Sequence, residues 1–216
     1  MNLLHIVCSP RGAQSESYRL SLEIIAHLEK RRNETPLAIE KLNAGALAHV
    51  DVEYADAVGY GVQPPGGPAD PGSLSQSEQL IRTLENADTV VIATPMHNYT
   101  VPSGLKAWID HVVRVRRSFR STPQGKVGIL PDRPVFVAVS SGGRYSGENA
   151  RQPDFLTPYL KAALATIGLK NVTFFSVEGT ALDNESVTAS RRMASQAMAE
   201  HFEVMTWPRN SRSATT

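Results

Sequence analysis

The sequence predicts a doubly wound α/β fold, with five parallel strands in the order 2-1-3-4-5 and helices on both faces. Three observations carry that prediction. Short, largely apolar, β-branched-rich runs alternate along the chain with longer segments of 3.6-residue periodicity, as strands and crossover helices do. Polar residues seldom interrupt those runs, which marks strands covered on both faces of a parallel sheet. The first, third and fourth runs each empty into a loop rich in Ser, Gly or Asn, and in an open α/β sheet ligands bind outside the carboxyl ends of the strands. At 216 residues, 41% of them hydrophobic and 20% charged, the chain can bury a sizeable core. Residues 1–207 read as a single domain, and 208–216 as a disordered tail.

The first element is Leu3 to Cys8, a short apolar strand that enters Ser9-Pro10-Arg11-Gly12-Ala13-Gln14-Ser15-Glu16-Ser17. A helix follows, with Leu20, Ile24 and Leu28 on one face and Glu23, Glu29, Lys30 and Arg31 on the other. The loop between them suits an anion, because a helix's first amides lack partners and its dipole end is positive. Alternatively, Ser15 or Ser17 caps the helix; one serine suffices for a cap, whereas the loop also offers Ser9 and Arg11. Two other phosphate loops are excluded. Gly12 stands alone where a dinucleotide fingerprint needs G-x-G-x-x-G. Gln14 stands where a low-molecular-weight phosphatase using Cys8 as nucleophile would need an arginine, so Cys8 reads as a packed strand residue.

Pro36 to Leu42 is a candidate second strand behind the polar turn 32–35. From about 51 to 73 the pattern dissolves into a surface excursion rich in Gly and Pro, open between a lid, a dimer arm and slack. A helix resumes near Ser75 with Leu80, Ile81 and Leu84, and leads to the central strand Thr89-Val90-Val91-Ile92-Ala93. The loop from Thr94 to Ser103 reads as the wall of a cofactor site. Leu105, Trp108, Ile109, Val112 and Val113 then form a helical stripe, with Pro102 in a first turn that tolerates proline. Asp110 and Arg114 make a favourable i, i+4 pair, and Arg114, Arg116 and Arg117 offset the helix's negative end. Phe119 to Leu130 is a hairpin or an irregular loop. Val135 to Val139 is a buried strand that empties into Ser140-Ser141-Gly142-Gly143, where two glycines let backbone amides approach a ligand. A helix through Tyr159, Leu160, Ala163, Leu164 and Ile167 stops at Gly168, a fifth strand spans Val172 to Val177, and a last helix carries Ala194, Ala197, Met198, Phe202 and Met205.

Charge and composition narrow the function. With 22 basic against 21 acidic residues, no global field favours nucleic acid or an anionic membrane, and a small molecule is the expected partner. One cysteine excludes an internal disulfide and fits the cytoplasm. The amino-terminal apolar run is too short for a signal peptide or a membrane span. The six histidines show no metal-ligand spacing, so no metal is expected. His97 alone falls in the proposed site, either as a donor to a ligand or as a solvated loop residue.

Taken together, Ser9-Pro10-Arg11 with Ser15 and Ser17, Pro95-Met96-His97-Asn98-Tyr99 with Pro102-Ser103, the helix Leu105 to Asp110, Phe119-Arg120, and Ser140-Ser141-Gly142-Gly143 resemble the FMN-dependent NADH-azoreductases, which are flavodoxin-like NAD(P)H:quinone oxidoreductases. The resemblance runs in register to about Gly179. It implies FMN as cofactor, NADH or NADPH as donor, ping-pong reduction of quinones or azo compounds, and a homodimer with its site at the interface. The FMN phosphate would lie on Ser9, Arg11, Ser15, Ser17 and the Glu16 backbone. The ring would lie against Pro95, Met96, His97, Asn98 and Tyr99, with Ser140, Gly142 and Gly143 at its pyrimidine side, and His97, Asn98 and Tyr99 would serve the chemistry. Amides of a Gly-rich turn suit the negative charge of a reduced flavin.

Four positions depart from the family pattern. His97 replaces a usual tyrosine and Tyr99 a usual phenylalanine, while Ser121 and Thr166 stand where the substrate pocket often has aromatic rings. The loss of two aromatic faces should widen that pocket. The alternative function is an FMN-binding electron carrier or sensor, and a third reading is a phosphate-binding module without flavin.

Overall fold

The computed structural model describes residues 1–31, 36–59 and 72–205. The polar turn 32–35, most of the breaker-rich excursion and the tail, from 206 on, lie outside the described residues. In chain order the elements are β1 (Asn2–Val7), α1 (Glu16–Lys30), β2 (Ala38–Asn43), α2 (Val52–Gly59), α3 (Ser73–Asn86), β3 (Thr89–Pro95), α4 (Ser103–Val112), β4 (Phe119–Thr122), β5 (Gly125–Gly128), β6 (Val135–Ser141), α5 (Leu156–Ile167), β7 (Val172–Glu178) and α6 (Asn184–Val204). Short 3-10 turns occupy Gly12–Gln14 and Ala44–Ala46.

Five strands form one parallel sheet in the order β2-β1-β3-β6-β7. Thr89 to Thr94 of β3 are wholly buried, which is why that run cannot alternate polar with apolar residues. On one face Leu4, Ile6, Val90, Ile92, Val137 and Val139 pack with Leu84, Trp108 and Leu160 of α3, α4 and α5. On the other, Leu3, Val91, Phe136, Ala138 and Phe175 pack with Leu20, Ile24, Met198 and Phe202 of α1 and α6. Each large side chain so buried contributes about 1.5–3 kcal/mol. Gly168 ends α5 in the left-handed conformation at φ 110°, and Leu169 N donates to Leu164 O at 3.0 Å across it.

Several expectations need correction. The described residues form seven strands, two of them in the hairpin β4–β5, so the numbering 2-1-3-4-5 gives way to 2-1-3-6-7. The stretch left open between hairpin and irregular loop is the antiparallel hairpin β4–β5, turned at Gly125 with φ 119° and pinned where Thr122 Oγ1 donates to Gly125 O at 2.8 Å. The excursion is not irregular from residue 51. Asp51 accepts from Tyr54 N at 2.8 Å and starts α2, Tyr54 is buried, and Ser73 N reaches the same carboxylate at 3.3 Å as α3 begins. Pro102 caps α4 from outside, with Ser103 as the first helical residue. Asp110 pairs with Lys106 at 2.6 Å instead of Arg114, because the helix ends at Val112 and turns Arg114 away. Arg114 and Arg117 bind Glu78 at 2.6 and 3.1 Å, and Arg117 also binds Glu85 at 2.6 Å, locking α3 to the end of α4. On α6, Ala194, Met198 and Phe202 are buried but Ala197 is exposed, and Met205 already lies beyond the helix.

Candidate active site

The carboxyl ends of β1, β3 and β6 lie side by side, with Val7 opposite Ala93 and Pro95 opposite Ser140. The β1 loop turns through Gly12 at φ 52° and hands the chain to α1. Ser15 is the cap: its Oγ accepts from Tyr18 N at 3.2 Å and donates to Gly12 O at 2.9 Å. Capping therefore accounts for Ser15 and leaves Ser9 and Ser17 over. Ser17 is wholly buried with its hydroxyl 3.4 Å from Ser15 Oγ, and Ser9 accepts from Arg11 N at 3.2 Å. The amides of Glu16 and Ser17 have no hydrogen-bond partner among the described residues. Two open amides at a helix start, beside the Ser9 and Ser17 hydroxyls, form a donor set for an oxyanion such as a phosphate.

The Glu16 side chain would oppose such an anion, but it turns away to Arg191 of α6 at 3.0 Å and to Arg19 at 3.2 Å. The Arg191 hydrogen bond is the main reason its carboxyl titrates below the ordinary range.

Next along the edge, His97 and Thr100 exchange backbone hydrogen bonds at 2.9 and 3.0 Å around Asn98 and Tyr99, both at positive φ of 49° and 70°. That geometry is a type I′ turn; asparagine accepts it readily, and tyrosine only with strain. Tyr99 is nevertheless about half exposed, at 48%, so burial does not repay that strain. Tyr99 O accepts from Phe155 N at 3.1 Å, and Met96 N donates to Ser140 O at 2.7 Å, tying this loop to the fourth strand of the sheet. The β6 loop is braced from β7: Thr180 N donates to Ser141 O at 2.9 Å and Ala181 N to Gly142 O at 3.2 Å. Gln152 lies over it, donating to Ser141 Oγ at 3.0 Å and to Met96 Sδ at 3.1 Å. A β-carbon on Gly143 would run into the Gln152 side chain, so that glycine makes room for a glutamine from its own chain.

On the β2 side of the β1 loop a cleft of about 530 Å³ opens, lined by Ser9, Pro10, Lys41, Asn43, His49 and His97 together with the first turn of α4. Cys8 lies beneath it, buried, with a thiol whose pKa burial drives upward. It is the packed strand residue expected, and a buried neutral thiol is a poor nucleophile.

Residues 1–202 match the Flavodoxin_2 family, described as a flavodoxin-like fold. The chain belongs to this family. Among curated relatives it is 46% identical over 198 residues to FMN-dependent NADH:quinone oxidoreductase 4 of Pseudomonas fluorescens, covering 92% of this chain and 94% of that protein. It is 45% identical over 196 residues to FMN-dependent NADH:quinone oxidoreductase 5 of Burkholderia lata, covering 91% and 94%. Among solved structures, an FMN-dependent NADH-azoreductase from Bacillus anthracis, in complex with FMN, superposes with a TM-score of 0.74 at 24% identity over 93% of this chain and 99% of that one.

In this member of the Flavodoxin_2 family, Ser9, Arg11, Ser15, Glu16 and Ser17 converge on the first loop, Pro95 to Tyr99 on the second, and Ser140, Gly142 and Gly143 on the third. Ser121 and Thr166 do not join them. Ser121 is on β4 and Thr166 on the last turn of α5, whose end meets the start of the sheet: Leu130 N donates to Ile167 O at 3.1 Å and Val135 N to Asn171 O at 2.9 Å. Within one chain they lie at the opposite edge. Sequence reasoning missed Gln152, Lys41 and His49. Each lies in a segment without periodicity or on an exposed edge strand, and only the fold brings them near Ser9 and Met96.

Proposed function

We propose that this chain is an FMN-dependent NADH:quinone oxidoreductase of the Flavodoxin_2 family, taking hydride from NADH or NADPH and passing two electrons to quinones or azo compounds. The observation that carries the reading is the donor set at the start of α1: the unpartnered Glu16 and Ser17 amides with the Ser9 and Ser17 hydroxyls, a cradle whose chemistry suits a ligand phosphate. The names of the two curated relatives above support FMN and NADH.

When bound, FMN supplies the two-electron chemistry. The protein's part is to hold and to exclude. Ser9, Ser17 and the open amides bind the phosphate, the Asn98–Tyr99 turn and Met96 form one wall for the ring, and Ser140, Gly142 and Gly143 form the other. Gly142 and Gly143 amides aimed at the ring edge would favour negative charge there without giving up a proton. Donor and acceptor use the site in turn. A homodimer completes it, because Ser121 and Thr166, at the far edge of their own sheet, reach a flavin only in a second copy. Residues 1–207 act as one FMN-binding domain. Among the described residues no helix is long and apolar enough to cross a membrane. A single cysteine suits a reducing compartment and a near-balanced charge suits a small-molecule partner, and on those grounds we assign the protein to the cytoplasm, with no membrane or nucleic-acid partner.

Anaerobic titration of FMN-loaded protein tests the assignment. NADH or NADPH should bleach the flavin, and benzoquinone should restore its colour. Protein that cannot be reconstituted with FMN overturns the assignment; a flavin that neither nicotinamide bleaches makes the chain an electron carrier or sensor.

A further inference from the structure

The cleft beside the β1 loop has a chemistry that the flavin site does not use. Its wall carries Lys41, His49 and His97 and no carboxylate. The Lys41 ammonium donates to the Tyr18 hydroxyl at 3.1 Å and lies 4.5 Å from that ring's centroid, and among the described residues no acid pairs with it. Its charge is felt nearby: burial first, and Lys41 second, hold His5 down to about 4. The rings of His49 and His97 have no hydrogen-bond partner among the described residues, although the His49 carbonyl accepts from Ser73 Oγ at 3.2 Å. Gly104 lets α4 close on the floor, since a β-carbon there would stand 2.8 Å from the Ala44 carbonyl oxygen. A lysine whose charge no acid among the described residues offsets and two imidazoles without ring partners face one concavity, with His97 shared with the ring-binding loop, and together they select for negative charge.

We propose that this cleft holds an oxyanion carried by the ligand that follows FMN into the site, with Lys41 as the fixed charge and His49 and His97 as donors. Two ligands could bring that group: the nicotinamide dinucleotide through a phosphate, or the acceptor through an acidic substituent. The proposal rests on the oxidoreductase reading above.

FMN-loaded protein and its K41M, H49Q and doubly substituted variants test it. In turnover, the KM of NADH is compared between them, as is the ratio of KM values for 1,4-naphthoquinone-2-sulfonate and 1,4-naphthoquinone. Equilibrium binding of ADP and of naphthalene-2-sulfonate reads the cleft without turnover. For exposed charges the expected change in the double variant is about three- to tenfold, shrinking at high salt. A rise confined to NADH and ADP identifies the dinucleotide; one confined to the two sulfonates identifies the acceptor. Charged and neutral ligands affected alike, or no change, overturn the proposal, as does weakened FMN binding in a fluorescence titration, which would give the cleft to FMN's own phosphate. If wild-type flavin is not bleached the oxidoreductase reading fails, while the two binding assays still decide whether the cleft takes anions.

Discussion

The two edges of the sheet are built on opposite terms. At the amino edge, backbone meets backbone: a β-carbon on Gly128 or Gly168 would overlap main-chain atoms of the neighbouring segment. Arg133 caps α3 by donating to the carbonyls of Leu84, Glu85 and Ala87, and Arg114 and Arg117 clamp Glu78 and Glu85. At the carboxyl edge, amides are left open, a tyrosine holds a positive φ, and among the described residues a lysine with no acidic partner lines a cleft with two histidines. One edge invests its groups in the protein itself, and the other holds them ready for ligands.

If that division is real, substitutions should sort by edge. The largest effect is expected from Gly168→Val, which forces a side chain into φ 110° and against the Leu130 carbonyl. A loss of about 3 kcal/mol, lowering Tm by about 6–12 °C, should appear in thermal unfolding while the folded fraction binds FMN normally. At the other edge, Ser9→Ala and Ser17→Ala should each weaken FMN binding about ten- to hundredfold in a fluorescence titration, with little change in the unfolding of the FMN-free protein. Comparable destabilisation without loss of FMN affinity would erase the contrast.

The ion network gives the amino edge a pH signature. Burial alone would raise the Glu78 carboxyl, but hydrogen bonds from Arg117, Arg82 and Arg114 outweigh it and bring its pKa down to about 2 from 4.5. Its contribution to stability is therefore complete above pH 4.5 and is lost as the pH falls through about 2. Glu78→Gln should flatten denaturant-unfolding stability across that acid window, and an unchanged profile would remove Glu78 from the clamp. The smallest effect belongs to Tyr99→Gly, which relieves strain at φ 70°. It should stabilise the FMN-free chain by up to about 1 kcal/mol while lowering turnover with quinones. Unchanged turnover would mean that the strain serves nothing.

What could be read beforehand follows from whether a signal is local. Thr89 to Ala93 announced a buried strand by composition, and Gly168 announced a helix end because it directly follows the last apolar residue of the α5 stripe, where the helix closes on a left-handed residue. The three ligand-facing loops were visible because polar groups cluster directly after apolar runs. Arg114 misled, since i, i+4 logic presumes a helix that in fact stops at Val112. Val52–Gly59 was overlooked although its start is a local signal, Asp51 accepting from Tyr54 N, because the breaker-rich run that follows masked an eight-residue helix. The cleft that Lys41 and His49 share with Ser9 and His97 depends on strand register, His5 opposite Lys41 and Val7 opposite Asn43, and no window along the chain contains all four.

Cys8 offers a practical handle on all of this. As the chain's one thiol, sealed at the tip of β1 and kept protonated, it can be alkylated only while the floor of the site is breached. The speed of alkylation thus clocks local opening directly beneath the flavin cradle, and a bound flavin that fastens the three loops should slow that clock.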